Sequence, residues 1–193
     1  MIDLVCKVNN EWNTLRKVIV GIATSWGPDP TAQQTVDPKS REHILAGTYP
    51  ITSDVHQELE GLVTLLKENG VEVLRPENTA DLNQVFSRDV GVVIENKLIR
   101  SSMIAERAPE WQGVSGIFSL LPTENTFIPP SGVRIEGGDI MPMDDEIWVG
   151  YSEEKDFQKY RTARTNRQAV DWLQEKFPAK HVRGFQLHKS DTD

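Results

Sequence analysis

Short β-branched runs and helical stripes alternate along the chain. Lys17-Val18-Ile19-Val20-Gly21-Ile22, bounded by Arg16 and Thr24-Ser25, has the composition of a buried strand. From Ala23 to Thr52 no period is visible, and Pro28, Pro30, Pro38 and Pro50 break any regular element. Such a stretch reads as a lid carrying Trp26, His43 and Tyr49, or as a surface excursion. A helix follows, with Ser53 or Asp54 as its N-cap, Val55, Leu59, Leu62, Val63 and Leu66 on one face and Gly70 as its stop. Val71-Glu72-Val73-Leu74 is the next strand, so this part is a strand-helix-strand unit.

The second half repeats a hairpin and a helix. Val90 to Ile94 and Leu98 to Ser102 form a hairpin turned at Asn96-Lys97, since Asn tolerates left-handed backbone. A helix over Pro109 to Leu120 carries Trp111, Val114, Ile117 and Phe118 on one face. Ile140 to Met143 pairs with Ile147 to Tyr151 as a second hairpin. Thr165 with Gln168 forms a capping box for a helix whose stripe is Ala169, Val170, Leu173 and Phe177, and His181 to Leu187 is one more strand. An offset of roughly 50 residues lays the first hairpin on the second and sets Asp89 and Asp139 at equivalent positions. Both acids stand at the entry to a hairpin.

Composition narrows the class. Hydrophobic content of 38% supports a core in a single domain spanning residues 1–193. Lys+Arg 21 against Asp+Glu 29 gives a net charge of −8 without a basic run, which argues against a phosphate backbone and suits a small cation. Cys6 is the one cysteine, so no internal disulfide or cysteine zinc site forms, and the histidines have no metal spacing. No leader pattern or membrane-length apolar run is present, and the expected location is the cytoplasm.

The candidate chemistry lies in Arg134-Ile135-Glu136-Gly137-Gly138-Asp139, where two glycines allow close approach between two acids. With Arg88-Asp89 before the first hairpin and Arg164-Thr165-Asn166 opening a helix, it resembles the guanidino-group-modifying enzymes: arginine deiminases, amidinotransferases and dimethylarginine hydrolases. The resemblance runs from about Leu15 to Leu187. It implies an α/β fold, a pentein-like β/α propeller of about five hairpin-helix-strand units, of which this chain supplies a little over three. A chain forming only the N-terminal part would leave an open sheet edge, covered by the rest of a longer protein or by another copy in a homo-oligomer.

The resemblance also assigns roles. Asp89 holds the substrate guanidinium, its alternatives being an ion pair with Arg88 or a strand-start cap. Glu136 orients the catalytic histidine, or is a strand carboxylate facing solvent. Asp139 shapes the turn and accepts backbone N–H groups, with direct ligation as the alternative, and Arg164 pairs with a substrate carboxylate. In such enzymes a cysteine thiolate attacks the guanidinium carbon while a histidine moves protons, and no cofactor is needed. Cys6, at the N-terminus among apolar residues, does not match that nucleophile, and His188 in His188-Lys189-Ser190-Asp191 lacks the His-apolar-Asp pattern. The expectation is therefore an amidinotransferase or guanidine hydrolase whose nucleophile is missing from this chain. The alternative is a non-catalytic protein that binds a guanidino ligand or a protein partner.

Overall fold

The computed structural model describes residues 5–35, 38–155 and 165–187. Three small sheets carry the chain. Strand β1 (Lys17–Ile19) pairs in parallel with β2 (Glu72–Leu74), and helices α1 (Pro38–Ala46) and α2 (Thr52–Glu68) fill the crossover between them. A parallel pair needs such a long connection. The strand-helix-strand unit is as expected, but α1 is an addition to it. Its apolar residues have no helical stripe to betray it, and Pro38, taken as a breaker, instead occupies the opening position where a missing N–H costs nothing.

Two further sheets share one plan. In the first, β3 (Gly91–Ile94) runs antiparallel to β4 (Lys97–Arg100), which runs parallel to the short β5 (Thr126–Phe127) after helix α4 (Glu110–Phe118). In the second, β6 (Ile140–Met143) runs antiparallel to β7 (Glu146–Tyr151), which runs parallel to β8 (His181–Gln186) after helix α5 (Arg167–Lys176). A one-turn helix α3 (Ser87–Val90) leads into β3, and a 3-10 turn (Gly137–Asp139) leads into β6.

The turns carry a correction. Lys97 pairs with Ile94, so the first hairpin turns at Glu95-Asn96, and Glu95 rather than Asn96 takes the left-handed conformation, with φ 54°. Asp144 does the same in the second hairpin, with φ 55°. Because β3 opens at Gly91 and β6 at Ile140, Asp89 corresponds in register to Gly138. Asp139 corresponds to Val90, so the two acids are not equivalent.

The core gathers between the two hairpin sheets and α5. Ile94, Ile99, Ile140, Ile147, Val149, Ala169 and Leu173 are fully buried there, joined by Val92, Ile135, Val170 and Phe177. Each large aliphatic side chain so buried contributes on the order of 1.5–3 kcal/mol. The stripe read from the sequence on α5 is the buried one, but its N-cap is Asn166, not Thr165: the Asn166 carboxamide oxygen accepts from the N–H of Ala169 at 3.3 Å. A second cluster sets Trp111, Ile117 and Phe118 of α4 against Leu98 and Leu121.

Helix α2 lies more open. Val63 is buried and Val55, Leu59 and Leu66 half-buried, whereas Leu62, expected on the inner face, is exposed. Its N-cap position is Ile51 and makes no side-chain cap bond; Ser53 turns to Asp54 instead, at 3.3 Å. Gly70 ends it at φ 76° as expected.

Candidate active site

The two glycines of the Glu136-to-Asp139 segment have no positive φ; they are there for close approach. The backbone of Arg88 and Gly91 packs against Gly137, and the Asp89 carboxylate packs against Gly138. The chain's own α3 turn thus fills the gap. Sequence spacing alone could not show that these two segments lie back to back.

Asp89 and Arg88 then diverge. Arg88 donates to both oxygens of Glu11 at 2.8 and 3.2 Å and to the carbonyl of Ile140 at 2.9 Å. It takes no part in an ion pair with its neighbour. Asp89 faces Arg107 instead, whose Nη1 donates to Asp89 Oδ2 at 3.0 Å. The same Nη1 lies 3.5 Å from Glu136 Oε1. Nε and Nη2 of Arg107 donate to the two oxygens of Glu110, at 2.7 and 3.0 Å. One guanidinium is therefore held by three carboxylates from three separate segments. Glu110 sits in the first turn of α4, where the helix dipole favours its charge.

Burial grades the site. The side chains of Glu110 and Glu136 are each 5% exposed, those of Arg107 and Asp89 each 22%. The Asp89 side is therefore the one that meets solvent. Burial pushes the Glu110 carboxyl up, and the hydrogen bond and charge of Arg107 pull it back only in part. Burial likewise works against the Arg107 charge, but Glu110, Glu136 and Asp89 together outweigh it and hold the guanidinium pKa above its ordinary value. The cation stays charged and the geometry is that of an ion pair.

Glu136 and Asp139 are fastened from behind by Thr165. The Glu136 N–H donates to Thr165 Oγ1 at 3.0 Å, and the Thr165 N–H donates to Asp139 Oδ2 at 2.9 Å. The Gly137 N–H donates to Ser101 Oγ at 3.1 Å. Asp139 thus accepts a backbone N–H, and it is that of a distant segment, not of its own turn. Glu136 is buried beside Arg107, not on a solvent-facing strand.

Of the expected site residues, Asp89 and Glu136 come together around Arg107, Asp139 supports them from behind, and Arg164 lies outside the described residues, as does His188. Cys6 is half-buried, packed against the Leu98 and Leu121 cluster beside the hairpin turn, at the far end of β3 from Asp89. Burial pushes its thiol up, with Lys17 a smaller opposing influence. His43, His56 and His181 are exposed. Arg107 and Glu110 are the residues that sequence reasoning missed. Their spacing signals no more than a local i, i+3 ion pair. Among the described residues no group of His, Cys, Asp and Glu could hold a metal ion, and no helix is long and apolar enough to cross a membrane.

No family model matches the chain. Among curated proteins it is 29% identical over 196 residues to the uncharacterised protein YkgA of Bacillus subtilis (strain 168), covering 96% of this chain and 58% of that protein. It is 38% identical over 78 residues to inosamine-phosphate amidinotransferase 1 of Streptomyces griseus, covering 36% of this chain and 22% of that protein. The solved structure of the Streptomyces griseus inosamine-phosphate amidinotransferase superposes with a TM-score of 0.67 at 19% identity, over 95% of this chain and 63% of that one. DDAH from Pseudomonas aeruginosa, solved with citrulline, superposes with a TM-score of 0.63 at 14% identity, over 91% of this chain and 62% of that one. The chain therefore spans about three-fifths of the length of YkgA and of these structures. Taken with the motifs that flank its hairpins, these likenesses give the chain the mixed α/β fold of the guanidino-group-modifying enzymes.

Proposed function

We propose that this chain forms the substrate-receiving part of a guanidino-group-modifying enzyme, an amidinotransferase or a guanidine hydrolase. The observation that carries the reading is the guanidinium of Arg107 seated among Asp89, Glu110 and Glu136. A site that fits one guanidinium has the charge and the acceptor directions to fit another. In this reading Asp89, on the open side, receives the substrate guanidinium and Glu136 orients the histidine that moves protons. Asp139 keeps the Glu136 segment in place through Thr165, and Arg164 pairs with an anionic group of the substrate. The two hairpin sheets and the β1–β2 pair are successive units of a β/α propeller of about five, of which a little over three are present.

The chemistry is thiolate attack on the guanidinium carbon, departure of an amine, and passage of the amidino group from sulfur to water or to a second amine. Cys6 does not serve as that thiol, because it packs beside the hairpin turn and burial keeps it protonated. The nucleophile comes from outside the described residues, and the expected result is that the 193-residue chain binds arginine without turning it over. Titration of arginine by calorimetry tests the binding. Asp89→Asn should weaken it about tenfold, the scale of one charge-assisted hydrogen bond. Equal affinity in that variant would remove Asp89 from the site.

The placement of Cys6 also favours a second reading, a non-catalytic guanidino-binding protein whose open edge is covered by another copy or a partner. Citrulline or ornithine released from arginine by the purified chain would rule that reading out and would also assign a nucleophile to this chain.

A further inference from the structure

We propose that Arg107 is an internal occupant of the guanidinium site, which a guanidino substrate displaces from Asp89 and Glu136 while Glu110 retains it. The inference rests on the guanidino reading of Asp89 and Glu136. Its ground is the division of labour within one side chain. Nε and Nη2 make a paired contact with Glu110 at 2.7 and 3.0 Å, while Nη1 alone reaches Asp89 at 3.0 Å and Glu136 at 3.5 Å. The first contact is bidentate and fixes the guanidinium plane; the second is one nitrogen shared between two carboxylates, the longer arm at the limit of a hydrogen bond. Tilting the guanidinium about its paired bonds to Glu110 draws Nη1 away from Asp89 and Glu136 while those two bonds hold.

The fold anchors the retained half. The Glu110 N–H donates to the Arg107 carbonyl at 2.9 Å, and the Arg107 N–H donates to the Ile104 carbonyl at 3.0 Å, so residues 104–110 form a turn leading into α4. Glu110 is buried and fixed by its helix, whereas Arg107 and Asp89 are the half-buried, more accessible members of the cluster. An arriving guanidinium meets Asp89 first. Exchanging one guanidinium for another on Asp89 and Glu136 leaves neither carboxylate unpaired at any stage, which avoids the cost of an uncompensated buried charge. Arg107 therefore keeps the two acids apart in charge and fixed in direction while the site is empty of substrate, and competes with the substrate for them.

The test is calorimetric titration of the full chain with methylguanidinium chloride, a guanidinium that carries no anionic group. Arg107→Ala removes the competitor and should tighten binding about tenfold or more, the scale of one charge-assisted hydrogen bond no longer to be broken. Glu110→Gln removes the retaining partner, leaves Arg107 committed to Asp89 and Glu136, and should weaken binding. An arginine that is never displaced would leave Glu110→Gln binding the probe like the wild type, so the weakening in Glu110→Gln is the outcome that refilling of a vacated slot in Arg107→Ala cannot produce. Should Arg107→Ala not fold, the double variant R107Q/E110Q replaces the pair by two amides, leaves no buried charge alone, and should again bind more tightly than the wild type. Binding in the wild type that is equal or weaker in Arg107→Ala, or in the double variant, overturns the internal-occupant proposal alone. No binding in the wild type together with binding in Arg107→Ala overturns it, because the probe then only refills the place the arginine has vacated. No binding in any variant overturns it together with the guanidino reading.

Discussion

Replacing Gly137 by alanine sets a methyl group against the turn that carries Arg88 and Asp89. A Cβ built at Gly137 overlaps the Arg88 carbonyl oxygen and lies 2.9 Å from that of Gly91, inside the 3.0 Å that real Cβ atoms essentially never breach. Both obstacles are backbone, and Gly91 opens β3, whose Val92 and Ile94 are in the core. Relief therefore requires moving a core strand, and overpacking of this kind costs about 1–3 kcal/mol, here about 3. Gly138→Ala makes the informative control. Its Cβ meets the Asp89 carboxylate, with Cγ 3.4 Å away, and a carboxylate can rotate aside. That variant should lose less than about 1 kcal/mol. Turning Asp89 away from Arg107 should nevertheless weaken guanidinium binding. Thermal unfolding followed by circular dichroism reads the difference: Gly137→Ala should melt roughly 6–12 °C below the wild type, Gly138→Ala within about 4 °C of it. A Gly137→Ala chain melting with the wild type would refute the back-to-back packing of the two turns, as would equal losses in the two variants.

Three further outcomes are expected. Asn166→Ala should destabilise the chain by about 1–2 kcal/mol in urea unfolding, because that side chain caps α5 and also accepts from the Arg134 N–H and donates to the Gly132 carbonyl. Cys6 should react with iodoacetamide at pH 8 more than about tenfold more slowly in the folded chain than in urea, since burial pushes its thiol up; equal rates would place it in solvent. Glu146 accepts from Trp148 Nε1 at 2.7 Å and from Arg183 at 2.6 Å, and these hold its carboxyl below the ordinary value against an opposing effect of burial. A depressed folded pKa gives stability that is present above the unfolded value and lost as the pH falls through the folded one, so Glu146→Gln should flatten the acid side of the stability profile below about pH 4.5 and leave an otherwise similar curve.

Much of the architecture was open to a reader of the sequence, because its elements are written in local pattern. The stripe of Ala169, Val170, Leu173 and Phe177 repeats at helical spacing and is the buried face of α5. Both hairpins and the strand-helix-strand unit follow from short β-branched runs between turn residues, and the motifs around Asp89 and Glu136 carried the resemblance that the fold comparisons support. Where local pattern was weak, the reading failed: α1 has no apolar stripe, and Leu62 lies on a helix whose amphipathic edge is broad enough to leave it outside.

The site itself was decided by tertiary structure. That Asp89 and Glu136 meet depends on the α3 turn packing onto Gly137 and Gly138, a contact between segments far apart in the chain. That Asp89 turns from Arg88 toward Arg107 depends on Glu11 and Ile140 claiming Arg88. Arg107 and Glu110 stand in a stretch with no motif, and nothing local says that their ion pair is buried beside two more carboxylates. The amino-acid sequence determined which acids were available and on which elements they stood. Only the folded chain decided their common neighbour, because burial and long-range packing, unlike helical period or turn chemistry, leave no local trace.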